Sequence, residues 1–148
     1  MRIEAWSYYE AAQERLIEAD ILYQSQRFGL SLYVAGLAVE CLFRAFRSLA
    51  DSHFEARHDL PELLSISGLE FISSGKNSRV IAEITGILFT RWKNDIRYAS
   101  EKRLRRHFKR LKLDRGIRGD FLKENCRLAL HAAQKIVALG NQRWPQSP

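Results

Sequence analysis

The stretch from Phe28 to Phe46 constrains the fold more than any other part of the chain, because it is almost entirely apolar. It is far longer than an ordinary β-strand, and its large apolar residues recur at steps of three and four, the spacing of one helix face. Glu40 and Arg44 lie inside it, and charged residues make a membrane span costly. We therefore predict a central buried helix over residues 29–50 and no membrane insertion. The residues predicted to face inward are Leu32, Ala35, Gly36, Val39, Leu42, Phe43 and Phe46.

The rest of the chain also has helical spacing, with no alternating segment typical of a β-strand. Only 3 prolines and 8 glycines interrupt it, which favours long helices. We predict one all-α domain over residues 1–148, a helical bundle of about four main helices plus shorter helices. Gly36 is expected to let another helix approach closely, Gly140 to stop the last helix, and residues 141–148 to form a flexible tail. The main helices are predicted at 4–26, 29–50, 78–93 and 121–140, and shorter ones after Asp59 and at 101–112.

Positive charge is concentrated in one segment, from Lys102 to Arg118. The chain has a net charge of +7, and this segment alone holds nine lysines and arginines against one acid, Asp114. The remaining residues carry 15 basic and 16 acidic side chains and are nearly neutral. A localised cationic surface implies an anionic partner, such as nucleic acid, an anionic membrane or an acidic protein. The nine basic residues are Lys102, Arg103, Arg105, Arg106, Lys109, Arg110, Lys112, Arg115 and Arg118.

The start of this segment has the spacing of an amphipathic helix. Leu104, Phe108 and Leu111 fall on one stripe, which would dock on the bundle and leave the cations outside. Arginine suits bidentate contacts with phosphate, and such contacts are independent of sequence and sensitive to salt. A solvated charged helix without a partner is the alternative. We favour a nucleic-acid partner, because almost no acids balance the run and like charges at steps of four destabilise a helix.

The cysteines and histidines indicate neither a disulfide nor a metal. Cys41 and Cys126 each lie in a predicted helix, so we expect no disulfide and a reducing, cytoplasmic compartment. The N-terminus has no apolar signal core. His53 and His58 lie near acidic residues, but without a recognised metal-ligand spacing. We predict no metal site and no cofactor, and a structural hydrogen bond for His58, which precedes a helix cap.

Three segments, in this order along the chain, resemble motifs of the HEPN family. The first runs from Ala35 to Ala45, and the second from His58 to Leu64. The third, Trp92-x4-Arg97-Tyr98-Ala99, resembles the segment that precedes the last HEPN helix. Together they span about residues 30–100. The resemblance implies an up-and-down helical bundle that often forms a two-fold homodimer, and a role in prokaryotic toxin–antitoxin or defence systems.

The resemblance also implies a choice between binding and catalysis, since many HEPN domains are metal-independent ribonucleases and others only bind. The family's catalytic motif is an Arg, four to six residues, then a His, but only three residues separate Arg103 from His107. Arg47 and His53 fit the spacing, yet about one match is expected by chance among 17 arginines and 4 histidines. We therefore expect an RNA- or nucleotide-binding module. One alternative is a ribonuclease, with His107 as acid–base group and Arg103 stabilising the phosphorane. The other is a subunit that pairs with a nucleotidyltransferase.

Several residues outside the basic segment require a structural explanation. Glu40 lies on the most apolar predicted helix, and a buried carboxylate needs a partner. We expect Arg44, one turn away, and Arg97 to form a group of buried polar residues with it. Trp92 and Tyr98 are expected in the core or at a dimer interface rather than as platforms for base stacking.

Overall fold

The computed structural model describes residues 3–53, 58–67 and 78–145. These residues form six α-helices and one 3-10 turn, and contain no β-strand. The prediction of an all-α bundle with four long helices and shorter ones is confirmed. The elements are α1 (Ala5–Gln24), α2 (Phe28–Ala50), α3 (Leu60–Ser67), α4 (Ser78–Arg91), the 3-10 turn (Asn94–Tyr98), α5 (Glu101–Arg110) and α6 (Phe121–Asn141).

α1 and α2 form a tight antiparallel pair. α1 ends in a Schellman motif, in which the N–H of Arg27 donates to the carbonyl oxygen of Leu22 and Gln26 has a φ of +61°. The chain therefore reverses within three residues, which brings the two helices side by side. The buried Ser31 hydroxyl on α2 donates to the Ala19 carbonyl oxygen at 2.6 Å and ties the helices together.

α2 is the central helix, and it packs against α1, α3 and α6, while α4 packs on α6. Its predicted inward face is buried, except that Phe46 is only partly buried. By length and mean hydropathy, 1.5 over its most apolar stretch, α2 also fits a membrane-spanning helix. In the bundle, 61% of that stretch is buried, which is the burial expected of a core helix. The predicted residues found buried are Leu32, Ala35, Gly36, Val39, Leu42 and Phe43.

Two glycines allow close packing around α2. A Cβ on Gly36 would lie 2.0 Å from the indole ring of Trp92, so only glycine leaves room for this ring. Trp92 is buried, as predicted, and its indole N–H donates to the carbonyl oxygen of Tyr33 at 2.9 Å. The close approach expected at Gly36 is thus made by a side chain rather than by a helix. Gly140 does not stop α6 but lies within it, where a Cβ would lie 2.6 Å from Leu42.

The C-terminal segment is packed as far as Trp144. This side chain is buried, and it stacks on Tyr9 of α1 with the ring centroids 4.4 Å apart. Trp6 lies against it edge-on, with the centroids 5.3 Å apart. The predicted flexible tail is therefore wrong for residues 141–144, because the aromatic cluster buries apolar surface that a free tail would expose. The last three residues of that prediction, 146–148, lie outside the described residues.

Candidate nucleic-acid interface

α5 carries most of the basic segment, and local hydrogen bonds define both of its ends. The Ser100 hydroxyl accepts a hydrogen bond from the N–H of Arg103 at 3.2 Å and caps the start. The helix ends in a Schellman motif, in which the N–H of Leu113 donates to the carbonyl oxygen of Phe108. Lys112 occupies the left-handed position of this motif, with a φ of +61°, where glycine is usual.

One stripe of α5 docks on the bundle. Leu104 and Phe108 are buried, as predicted, whereas Leu111 is 43% exposed. The prediction for Leu111 is wrong: as the C-cap of α5 this residue keeps helical backbone geometry, but its side chain lies at the exposed end of the stripe. The docked stripe is shorter than expected, and the opposite side of α5 is open to solvent.

This outer side carries five cationic side chains around an open depression of about 750 Å³. Four of them make no hydrogen bond or ion pair with another side chain in the described part of the protein. The ammonium of the fifth, Lys109, lies 5.7 Å from the centroid of the Phe121 ring. None of the described residues that line the depression is acidic. We call this surface the α5 cationic face: Lys102, Arg103, Arg106, Lys109 and Arg110.

Arg105 differs from these neighbours because it is paired within the chain. Its two Nη atoms donate to the two carboxylate oxygens of Asp120, at 2.9 and 3.1 Å, and Nη2 also donates to Glu101 at 2.9 Å. The hydrogen bond between Arg105 and Asp120 is the main reason that the pKa of Arg105 is raised and that of Asp120 lowered. Asp120 also caps α6 by accepting from the N–H of Leu122 at 3.0 Å. Arg105 therefore joins α5 to α6, in contrast to the binding role predicted for it.

A second depression, of about 580 Å³, lies between α5 and the 3-10 turn. Arg103, His107 and Arg110 line its α5 side, and Tyr98 lines the opposite side. The predicted pair Arg103 and His107 therefore shares one groove, one helical turn apart. Neither side chain hydrogen-bonds to another described residue. We call this depression the α5 groove, and its other polar lining residues are Lys93 and Asp95.

The turn after α5 is held by a buried asparagine that the sequence analysis does not single out. Asn125 of α6 is fully buried and donates to the carbonyl oxygens of Leu113 and Phe121, both at 2.8 Å. Its Oδ1 accepts from the Nε of Arg91 at 2.8 Å, and burial lowers the pKa of Arg91. One amide thus joins α4, α6 and the turn, and it fixes the direction in which the chain leaves α5.

The remaining cations of the basic segment lie beyond α5. Lys112, Arg115 and Arg118 are exposed along the turn. Arg118 lines a separate depression of about 550 Å³, together with Tyr23 and Arg127. The structure thus gathers five of the nine predicted residues on the α5 cationic face, pairs Arg105 internally and spreads these three along the turn.

Glu40 forms a buried ion pair. It is 2% exposed, and its Oε1 accepts from the Nε of Arg44 at 2.8 Å and lies 2.6 Å from the Nδ1 of His58. The expected salt bridge with Arg44 is present, and Glu40 is the partner of the structural hydrogen bond expected for His58. Arg97 takes no part, because the 3-10 turn places it on the surface, with its guanidinium 4.6 Å from the ring centroid of Tyr98. The prediction of a buried Arg97 is wrong.

The described residues contain neither a reactive thiol nor a metal-binding cluster. Burial raises the pKa of both Cys41 and Cys126 to about 11, so these thiols stay protonated near neutral pH and are poor nucleophiles. Within the described ranges, no group of three or more His, Cys, Asp or Glu side chains is placed to hold a metal ion. The strongest candidate site is therefore the α5 cationic face with its adjoining groove.

Comparison of the chain with protein-family models, with curated proteins and with solved structures found no match in any of the three.

Proposed function

We propose that this protein is a HEPN-like, non-catalytic module that binds RNA through the α5 cationic face. The observation that carries the proposal is a contrast within one helix. Arg105 is paired with two carboxylates, whereas the five cations of the face have no acidic partner among the described residues. Like charges at steps of four, such as Arg106 and Arg110, weaken a helix. A phosphate backbone would supply the missing negative charge.

The chemistry of the face favours phosphate over other anions. Three of its five residues are arginines, whose planar guanidinium groups match phosphate oxygens in bidentate contacts. These contacts position a nucleic acid without reading its sequence. The choice of RNA over DNA rests on the resemblance to HEPN motifs alone. The same resemblance is the basis for proposing a homodimer and a role in a cytoplasmic toxin–antitoxin or defence system.

The test is RNA binding by a variant in which the face loses three charges: Arg106→Gln, Lys109→Gln and Arg110→Gln. We expect the dissociation constant to rise about 100-fold at about 0.1 M salt, and the slope of log affinity against log salt to fall by about two. The binding can be measured by fluorescence anisotropy over a salt series. A matched control removes the same charge elsewhere, through Arg79→Gln, Lys135→Gln and Arg143→Gln, all at exposed positions.

The control separates a local interface from general electrostatic attraction. If both triple variants lose the same affinity, the α5 cationic face is not the binding surface. If the unaltered protein binds no RNA even at low salt, the proposal is wrong. An acidic protein, such as a nucleotidyltransferase partner, then becomes the better explanation of the face.

RNA cleavage is the second candidate function, because Arg103 and His107 line the same α5 groove. An imidazole one turn from a guanidinium offers an acid–base group and a cation for a developing negative charge. This function predicts RNA cleavage in the presence of a metal chelator. His107→Ala would abolish the cleavage and leave thermal unfolding unchanged. Binding without any cleavage under these conditions would exclude it.

A further inference from the structure

Tyr98 is exposed in a way that its neighbours are not. It is 75% exposed, whereas every other aromatic side chain in the described part of the chain is buried or partly buried. Of the two places expected for Tyr98, the core is therefore wrong, and a dimer interface stays a prediction. Trp92, six residues earlier, is buried against α2 and accounts for the packing of this segment. Packing within the bundle does not explain why an aromatic ring stands at position 98. The side chains around Tyr98 therefore indicate what kind of ligand the ring could bind.

The ring is held in place by a series of contacts that leads into the core. The Arg97 guanidinium covers one face, 4.6 Å from the centroid. The Tyr33 side chain is the main reason that the pKa of Arg97 is raised, so the exposed guanidinium lies close to Tyr33 of α2. Tyr33 in turn stacks on Trp92, with the ring centroids 6.2 Å apart. Since Tyr98 is 75% exposed and Arg97 covers one face, the opposite face is open.

The open ring borders a cationic groove. Tyr98 lies on one side of the α5 groove, and Arg103 and Arg110 lie on the other and also belong to the α5 cationic face. The buried side chains of Ile96 and Leu104 contribute an apolar floor. The volume of about 580 Å³ falls within the usual range of small-ligand sites. An aromatic platform beside a cationic track is the arrangement with which proteins bind single-stranded nucleic acid.

We infer that the α5 groove takes one unpaired nucleotide of an RNA strand, with its base on the open face of Tyr98 and its phosphates against Arg103 and Arg110. The ligand class is therefore single-stranded RNA rather than duplex. This inference rests on the proposed function. It adds the requirement that the bound RNA has an unpaired base, which phosphate contacts alone do not impose. The bases of a duplex are stacked on one another and cannot reach the ring, whereas a single strand can place one there.

The ligand itself provides the first test. Three labelled RNAs of about 12 nucleotides per strand are compared by anisotropy at about 0.1 M salt: a single strand, a duplex and a single strand without bases. The abasic strand keeps the sugar–phosphate backbone and removes every base contact, stacking included. We expect the single strand to bind about tenfold more tightly than the abasic strand. Equal affinity of the unaltered protein for these two ligands would overturn the inference, whatever happens to any variant.

The protein provides the second test. Tyr98→Ala should weaken binding of the single strand about tenfold, without changing the salt slope and without affecting the abasic strand. Tyr98→Phe keeps the ring and should bind as the unaltered protein does. Leu111→Ala, at an exposed apolar residue outside the groove, is the matched control and should have no effect.

The outcomes separate this inference from the proposed function. If Tyr98→Ala binds normally while the triple charge variant of α5 does not, the stacking site is wrong and phosphate binding by α5 stands. If no RNA binds to the unaltered protein, both are wrong. Tight binding of duplex and weak binding of single strand would also contradict the stacking site.

Discussion

The buried side of α2 and the outer face of α5 differ in whether their charged side chains have partners within the protein. α2 carries one buried carboxylate, Glu40, and the chain provides two partners for it, Arg44 and His58. The α5 cationic face carries five cations, and none of them forms an ion pair with a carboxylate of the described residues, although Asp95 lines the same groove as Arg103 and Arg110. Folding therefore supplies partners for one oxygen of the carboxylate in α2, but it supplies no ion pair for the five cations of the α5 face. This difference is why we look for a partner of this protein at α5 rather than at Glu40.

The same contrast occurs within α5 itself. Arg105 is bonded to Asp120 and Glu101, and Arg106, the next residue, is exposed and makes no such pair with a described residue. The two side chains have identical chemistry and adjacent positions. They differ only in whether the bundle supplies an acid within reach. The number of arginines in a basic helix therefore overstates the number available to a ligand.

Removal of the buried carboxylate should have the largest effect on stability. We expect Glu40→Ala to lower the free energy of unfolding by about 3 kcal/mol, because Arg44 loses its ion pair with Glu40 inside the bundle. Glu83→Ala, at an exposed position on α4, should change it by less than about 0.5 kcal/mol. Urea denaturation of both variants measures the difference. Equal stabilities would mean that the α2 ion pair contributes no more than a surface charge.

Lys112→Gly should increase stability while it removes a cation. Lys112 has a φ of +61°, where a side chain costs energy and glycine does not, so we expect a gain of roughly 0.5–1 kcal/mol. Gln26→Gly is the matched variant, since Gln26 holds the same position at the end of α1 with the same φ. Thermal unfolding of both should show similar gains. A loss of stability in Lys112→Gly alone would show that the lysine side chain stabilises the turn.

A similarly small effect separates the two neighbouring arginines, Arg105 and Arg106. Arg105→Gln should lower the free energy of unfolding by up to about 1 kcal/mol, and Arg106→Gln by nothing measurable. Because the hydrogen bond with Arg105 lowers the pKa of Asp120 below its usual 3.8, this contribution is present above about pH 4. It disappears as the pH falls through the lowered pKa. Unfolding experiments from neutral to acidic pH should therefore show the two variants converging, and a constant difference would contradict this assignment.

Local signals in the sequence predict the helices and their caps well. The apolar spacing locates α2, and Asp59, Ser100 and Asp120, residue types favoured at helix N-caps, each accept a backbone hydrogen bond at the start of their helix. These features depend on neighbours along the chain. The basic segment is equally visible, because charge can be counted without a structure.

Contacts between distant parts of the chain could not be predicted in the same way. Nothing local shows that Asp120 reaches back to Arg105, or that Asn125 holds the turn, although an asparagine on an apolar helix face was a signal available to find it. Periodicity also does not show which face is covered. Leu111 and Tyr98 stay exposed because no other element packs over them. Trp144, in contrast, is buried against Tyr9 of α1.

Gly36 limits which substitutions the centre of α2 can accept. Any larger residue there would displace Trp92, on which Tyr33 stacks and through which the contacts reach Arg97 and the exposed ring of Tyr98. A substitution of Gly36, in the central helix α2, would therefore move the exposed ring of Tyr98 and change the position of the groove. The packing around Gly36 and the shape of the groove therefore cannot be altered independently.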